Sequence, residues 1–372
     1  MRIHHFAPRT PNLGDHFVCL GIEHLFRTLL ARVEFVSLNV NGRGDDPNEF
    51  GLTARSIARA NREADLVVVG GSNLYEPHPR TDRWGVYLEP GALCDLRVPL
   101  FLVGIGTGSD FGARTPTRPS RRVAEEIRRL NACATFSGVR DAVTLAWLRG
   151  LGVERAELMG DPATFLFTHP YSPRPVSRIA VVMLPRRFFW RRRERIRFWD
   201  MRGPNLMRAL IRVADSLLRD GYDVTVLCND PRDLGLAQAL LPAPLRQRLH
   251  LPATADEYIR VLAGVDAVVT GRLHTAILAF SLGIPFVLLD ADQRTHGFVR
   301  TYGLGDWAVL CAWVGIEGRL RRAVGRLLSG HHHADWVEFM AHRDRMRAQA
   351  LALLREALRA AFGPERAASG VR

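Results

Sequence analysis

Short apolar runs alternate along the chain with stretches whose apolar residues recur at helical spacing. Runs at 33–38, 65–69 and 98–105, and a weaker one at 133–137, read as buried strands. Between them, 55–64 and 120–130 carry the amphipathic pattern of surface helices. Strands alternating with helices predict a doubly wound parallel sheet. The pattern pauses at 167–175, where Pro170, Pro173 and Pro175 interrupt both helix and strand. A second series follows. Strands are expected at 178–184, 222–228, 247–251, 265–270 and 284–289, with helices near 204–220, 231–241, 255–263 and 273–282. A long Ala/Leu/Arg helix over 335–361 closes the chain. The expected organisation is α/β: a first doubly wound domain over 1–170, a second over 171–330, and a helix and tail over 331–372.

Two such domains joined by a short linker face each other across a cleft. Ligands in these sheets sit outside the carboxyl ends of the strands, at helix N-termini. The residues to inspect are therefore those just after each apolar run. After 65–69 comes Gly70-Gly71-Ser72-Asn73-Leu74, either a plain turn or a backbone open to an anion. After 98–105 comes Gly106-Thr107-Gly108-Ser109, a short glycine loop with the same two readings. After 133–137 comes Gly138-Val139-Arg140-Asp141, with Asp141 suited to start a helix and Arg140 placed to face the cleft. Gly160-Asp161-Pro162 is turn chemistry that can also orient a ligand. Asn12-Leu13-Gly14-Asp15 precedes a helix, so Asp15 is either its cap or a carboxylate able to deprotonate a hydroxyl. Gly271-Arg272-Leu273-His274 puts two hydrogen-bond donors at one helix N-terminus, a place that favours an anion. Alone, His274 would be an ordinary core histidine.

Charge changes this picture in one respect. The chain has 372 residues, a net charge of +13 and a pI near 10.7, and all 51 of its basic residues are arginine. The absence of lysine excludes Schiff-base chemistry and the lysine-containing phosphate loop. It leaves arginine, which grips carboxylates and phosphates in a bidentate fork. The five cysteines include no C-x-x-C pair, and no His/Cys/carboxylate spacing points to a metal. His331-His332-His333 reads as a solvated loop. No apolar segment resembles a secretion signal or approaches the ~18 residues of a membrane span, so a cytoplasmic location is expected.

Taken in order, these segments resemble the polysaccharide pyruvyltransferase family. The resemblance runs over roughly 10–305. It also takes in Asn229-Asp230-Pro231-Arg232-Asp233 and Gly283-Ile284-Pro285, and its most specific block is Gly271 to Ile277. It implies two Rossmann-like domains of the GT-B type and transfer of a pyruvyl group from phosphoenolpyruvate to a sugar of a surface polysaccharide or its lipid-linked precursor. A cyclic ketal forms and phosphate leaves; no cofactor is implied. It maps Arg140, Arg272 and Arg294 to donor binding, with Gly71, Ser72 and Gly106 as donor-facing loop positions. His274 becomes a proton donor or a phosphate ligand, and Asp15 the group that activates the acceptor, with Asn12 and Asp161 beside it. Three departures stand out: Pro11 and Ser72 replace family glycines, and Arg294 replaces a family lysine. The alternatives are a nucleotide-sugar glycosyltransferase, which shares the architecture, and a non-catalytic basic scaffold at a membrane. The segment 186–199 (RRFFWRRRERIRFW) interleaves seven arginines with aromatics. It is expected either to pack inward or to dock on anionic lipid at the inner face of the plasma membrane. Nucleic acid is not an expected partner, since no nucleic-acid fold signature accompanies the arginines.

Overall fold

A computed structural model describes residues 1–8, 12–41, 51–78, 82–108, 113–184, 202–311 and 315–368. The first half contains β1 (Arg2–Ala7), α1 (Leu13–Leu29), β2 (Glu34–Asn39), α2 (Ala54–Glu63), β3 (Leu66–Gly70) and β4 (Leu100–Ile105). It continues with α3 (Arg121–Cys133), β5 (Phe136–Val139), α4 (Ala142–Gly150) and β6 (Glu157–Leu158). The second half contains β7 (Arg178–Val182), α5 (Arg202–Arg219), β8 (Asp223–Leu227), α6 (Pro231–Leu240), α7 (Ala243–Arg246) and β9 (Leu249–His250). After these come α8 (Ala255–Ala263), β10 (Ala267–Thr270), α9 (Leu273–Ser281), β11 (Phe286–Asp290), α10 (Gln293–Tyr302), β12 (Ala308–Leu310) and α11 (Ile316–Leu328). The last helix is α12 (His333–Ala368), broken at Gly363. The arginine-aromatic segment 186–199 lies outside the described residues.

The strands form two six-stranded parallel sheets, in the orders β2-β1-β3-β4-β5-β6 and β12-β11-β10-β7-β8-β9. Both are doubly wound. The strand order reverses between β1 and β3 in the first sheet and between β7 and β10 in the second, and a crevice opens at each reversal. The central strands are buried throughout: β3 reads Leu66-Val67-Val68-Val69-Gly70 and β11 Phe286-Val287-Leu288-Leu289-Asp290. That is the unbroken apolar run of a strand covered on both faces.

Several elements depart from the sequence reading, which placed no helix at α10 or α11. β1 carries His4-His5 in its middle, which broke the apolar run although it pairs with both β2 and β3. Burial holds His5 neutral and pushes its pKa down to about 4, against a weaker opposing effect of its hydrogen bond with the Gly70 backbone. β6 and β12 are two and three residues long, too short to show a period. The histidine triplet is not a solvated loop. His332 is buried among Tyr171, Trp307 and Trp336, and burial, with His333 beside it, depresses its pKa to about 4. The stretch leads into α12, which begins at His333.

The two halves share packing. Phe17 of α1 meets Tyr258 of α8 with ring centroids 5.7 Å apart. Thr301 Oγ1 accepts from Ala142 N at 3.0 Å, and Arg114 pairs with Asp290 at 2.9 Å. α12 returns to the first half, where Gln349 donates to Leu158 O at 3.2 Å. It is pinned by Arg343, which is fully buried. Arg343 Nη1 shares its hydrogens among the carbonyl oxygens of His169, Phe280 and Ser281 at 3.0, 3.1 and 3.0 Å. One guanidinium thus caps the C-terminus of α9 and anchors the linker to it. Among the described residues no helix is long and apolar enough to cross a membrane.

Replacing Arg343 by Met should strand His169 O and Ser281 O, while Phe280 O keeps the Gly283 N–H at 3.2 Å. At ~1–3 kcal/mol for each unsatisfied group, the loss should be ~3 kcal/mol or more in urea unfolding. Arg343→Lys, with one ammonium in place of a fork, should recover only part of it. A loss below ~1 kcal/mol for the Met variant would contradict the pinning role.

Candidate active site

A cavity of about 270 Å³ opens between the carboxyl ends of the two sheets. The first half contributes Pro8 after β1, Asn12 and Asp15 at the start of α1, and Asn41 after β2. The turn after β3 adds Ser72, Asn73, Leu74 and Glu76, with Gly85 further along. The second half contributes Asn229 after β8, Gly271 and Arg272 after β10, Leu273 and His274 at the start of α9, and Asp292, Arg294 and Thr295 at the start of α10. Residues from the reversal points of both sheets therefore share one cavity.

Local chemistry holds each group. Asn12, not Asp15, is the cap of α1: its side chain accepts from Gly14 N at 3.2 Å. Asp15 then sits in the first turn, where the helix dipole favours a carboxylate. Ser72 adopts φ 59°, the one positive φ of a non-glycine among the described residues, and it stands on the cavity wall. Such backbone is costly and clusters at functional sites. Arg272 donates from Nε to Met183 O at 3.1 Å and pairs through Nη2 with Asp233. Arg294 donates from Nε to Asp292 Oδ2 at 3.0 Å, while Asp292 caps α10 by accepting from Arg294 N and Thr295 N. Burial alone would lower the Arg294 pKa, but Asp292, Glu76 and Asp15 together raise it. Two of those carboxylates belong to the opposite half, so the field crosses the cavity. Asn229 is fixed from behind by Tyr258 Oη at 2.8 Å and Thr275 Oγ1 at 3.1 Å.

His274 rests on the N-terminus of α1. A β-carbon at Gly14 would lie 2.2 Å from His274 Nδ1, so only glycine leaves room for the ring. The imidazole of one half is thus seated on the helix that carries Asp15 in the other.

Asn12, Asp15, Ser72, Arg272, His274 and Arg294 all line this cavity. Four other residues expected there do not. Arg140 is buried at 3% exposure, behind the wall. Its guanidinium fills the space left by Gly106, where a β-carbon would lie 2.1 Å from Arg140 Nε. It pairs with Asp141 at 3.3 Å and donates to Asn73 Oδ1, so it meets the cavity only through Asn73. Gly106 accordingly accommodates Arg140 rather than a ligand, and Gly71 packs over Val18 of α1. Asp161 is buried beside Arg140 and caps the short turn Pro162–Phe165 by accepting from Ala163 N at 3.0 Å.

Glu76, Asn41 and Asp292 line the cavity and Asp233 braces Arg272, yet none had a role in the sequence reading. Asn73 and Asn229 had been noted only as parts of motifs. Each follows a strand or opens a helix within a few residues, so extending the strand-end rule by one turn would have found them. Among the described residues no group of three or more His, Cys, Asp or Glu is arranged to hold a metal ion.

Residues 12–293 match the model of a family described as polysaccharide pyruvyl transferase. No curated protein matches the chain by sequence. Among solved structures, S. aureus MnaA, determined with UDP, is similar at TM-score 0.55 and 15% identity, over 96% of this chain and 95% of its own. The UDP-GlcNAc 2-epimerase of Neisseria meningitidis, bound to UDP-GlcNAc, is similar at TM-score 0.53 and 12% identity, over 96% of this chain and 99% of its own. At this identity the likeness shows the fold, the two-domain GT-B arrangement.

Asp161 yields a test of the buried layer behind the wall. Burial raises its carboxyl to about 6; Arg140 and the Ala163 amide offset part of this, and Asp141 adds to it. The folded-state value lies above the unfolded one. The stability Asp161 contributes is therefore complete below the unfolded pKa of 3.8 and is lost as pH rises through about 6. Asp161→Asn should flatten the melting-temperature profile across that window and exceed the wild type by a few degrees above it. Parallel profiles for the two proteins would contradict the assignment.

Proposed function

Because the chain belongs to the polysaccharide pyruvyl transferase family, we propose that its cavity moves a pyruvyl group from phosphoenolpyruvate onto a sugar of a surface polysaccharide or its lipid-linked precursor, releasing phosphate. The observation that carries this is the polarity of the cavity. Arg272, His274 and Arg294 stand on one wall, with Asp292 paired to Arg294, and Asp15, Glu76 and neutral amides stand on the other.

A donor bearing a phosphate and a carboxylate suits the cationic wall. Arg272 and Arg294 each present a guanidinium held by an aspartate, Asp233 behind Arg272 and Asp292 beside Arg294 on the cavity wall, which fixes the fork. His274 lies between them in sequence, at the N-terminus of α9, where it can deliver a proton to the methylene carbon of the donor. Protonation makes the central carbon electrophilic. A sugar hydroxyl held by Asp15 attacks it, forming the first C–O bond. Phosphate then leaves with the C–O bond electrons, and a second hydroxyl closes the ketal. Of the two hydroxyl protons released, one balances the methyl group formed and the other ends on the phosphate. The cavity, near the lower limit of ~300 Å³ for ligand sites, fits one small anion with one sugar ring.

The wild-type protein should bind phosphoenolpyruvate in calorimetry and release phosphate from it only in the presence of a saccharide acceptor. His274→Ala should lose about 10²–10⁴-fold in turnover, the usual range for a general acid. Gly14→Ala should lose at least ~10-fold by displacing the imidazole, with little change in binding of the donor. Full turnover by His274→Ala would exclude the assignment, and release of a nucleoside diphosphate from a nucleotide sugar would replace it with glycosyl transfer.

A further inference from the structure

We infer that Glu76 is a specificity-determining residue of the acceptor wall, and that the acceptor is a neutral sugar presenting two free hydroxyls. The inference rests on the pyruvyl-transfer reading and names the acceptor class within it.

Glu76 follows the turn at the reversal point of the first sheet and reaches the cavity. A chain of polar contacts fixes it from behind. Buried Arg140 donates to Asn73 Oδ1; Asn73 Nδ2 in turn lies 3.4 Å from Glu76 Oε2. The Glu76 backbone N–H donates to Asn73 O at 3.0 Å. The carboxylate lies against the backbone of Gly108, where a β-carbon would come within 2.6 Å of it. Arg140 is therefore a positioning residue: it orients an amide, and the amide orients the acid.

Glu76 and Asp15 both act electrostatically on Arg294, which places two carboxylates opposite one donor-side guanidinium. Ketal closure consumes two hydroxyls, and each must be oriented and relieved of a proton. One carboxylate per hydroxyl meets that requirement, Asp15 for one and Glu76 for the other. The remaining groups on this wall, Asn12, Asn41, Ser72 and Asn73, are uncharged hydrogen-bonding groups suited to ring hydroxyls. Two fixed negative charges also repel a sugar that carries a carboxylate or phosphate of its own. The wall thus selects a neutral hexose and rejects a uronic acid at the reacting ring.

The test compares the full-length wild type with Glu76→Gln, Glu76→Asp and Asn73→Ala. Phosphate release is followed with phosphoenolpyruvate and either neutral hexosides bearing a free diol or the matching uronosides. Glu76→Gln should lower kcat/KM for the hexosides by about 10²-fold, the scale of a lost general base, with the phosphoenolpyruvate KM changed less than about twofold. It should also shift the hexoside-to-uronoside ratio toward the uronoside. Glu76→Asp should recover part of the loss, and Asn73→Ala should fall about 10-fold on the acceptor alone. Wild-type kinetics in Glu76→Gln, or equal loss for donor and acceptor, would overturn the role of Glu76. Wild-type preference for uronosides would overturn the acceptor class. Failure of the wild type to bind phosphoenolpyruvate would overturn the donor reading, and this inference with it.

Discussion

The two halves meet where α1 has no side chain. Gly14 lets the His274 ring sit on the first turn of α1, beside the cavity that His274 and Asp15 both line. α1 carries Asp15 one residue later and Phe17 two residues after that, where it packs on Tyr258. Tyr258 in turn braces Asn229 and Thr275, next to His274. A single helix therefore sets the acceptor-side acid, the interdomain packing and the seat of the imidazole together. A displacement of α1 moves all three in register. Further from the cavity, Arg114 with Asp290 and Thr301 with Ala142 fix the same approach.

The arginines are presented in a consistent way. Arg272 leans on Asp233, Arg294 on Asp292 and Arg140 on Asp141. A long side chain with several rotatable bonds loses considerable freedom when it binds an anion. An aspartate behind each guanidinium takes that loss during folding rather than during binding, so the forks are preorganised. The same pairing answers the desolvation of these buried charges. Asp141 and Asp292 lie one or two residues from their arginines, and Asp233 lies in the first turn of α6.

Much of this was legible from the chain. Apolar runs such as Leu66–Gly70 and Phe286–Asp290 are buried on both faces and have no competing signal, so their type and order follow from composition alone. The rule that ligands gather at carboxyl strand ends brought Asn12, Asp15, Ser72, Arg272 and His274 to one place, and the family resemblance added Arg294. It did not distinguish residues that emerge from residues that stay behind the wall. Arg140 and Asp161 occupy strand ends as regular as the others. Whether a side chain reaches the cavity there depends on a neighbour, since the space left by Gly106 draws Arg140 inward. β1 was illegible for a different reason: buried histidines imitate a polar break. His332 misled in the opposite direction, because three histidines in a row look solvated while the tertiary fold buries the middle one.

The charges of the cavity run against those of the whole molecule. The chain carries +13, yet the cavity lining holds Asp15, Glu76 and Asp292 against Arg272 and Arg294. Long-range attraction and local recognition are thereby separated. The surface arginines draw anions toward the molecule from a distance, and that pull is screened by salt beyond a Debye length of ~8 Å. Inside, short hydrogen bonds and matched pairs decide what stays, and they are screened far less. Ionic strength therefore governs how often an anion arrives more than which anion is kept.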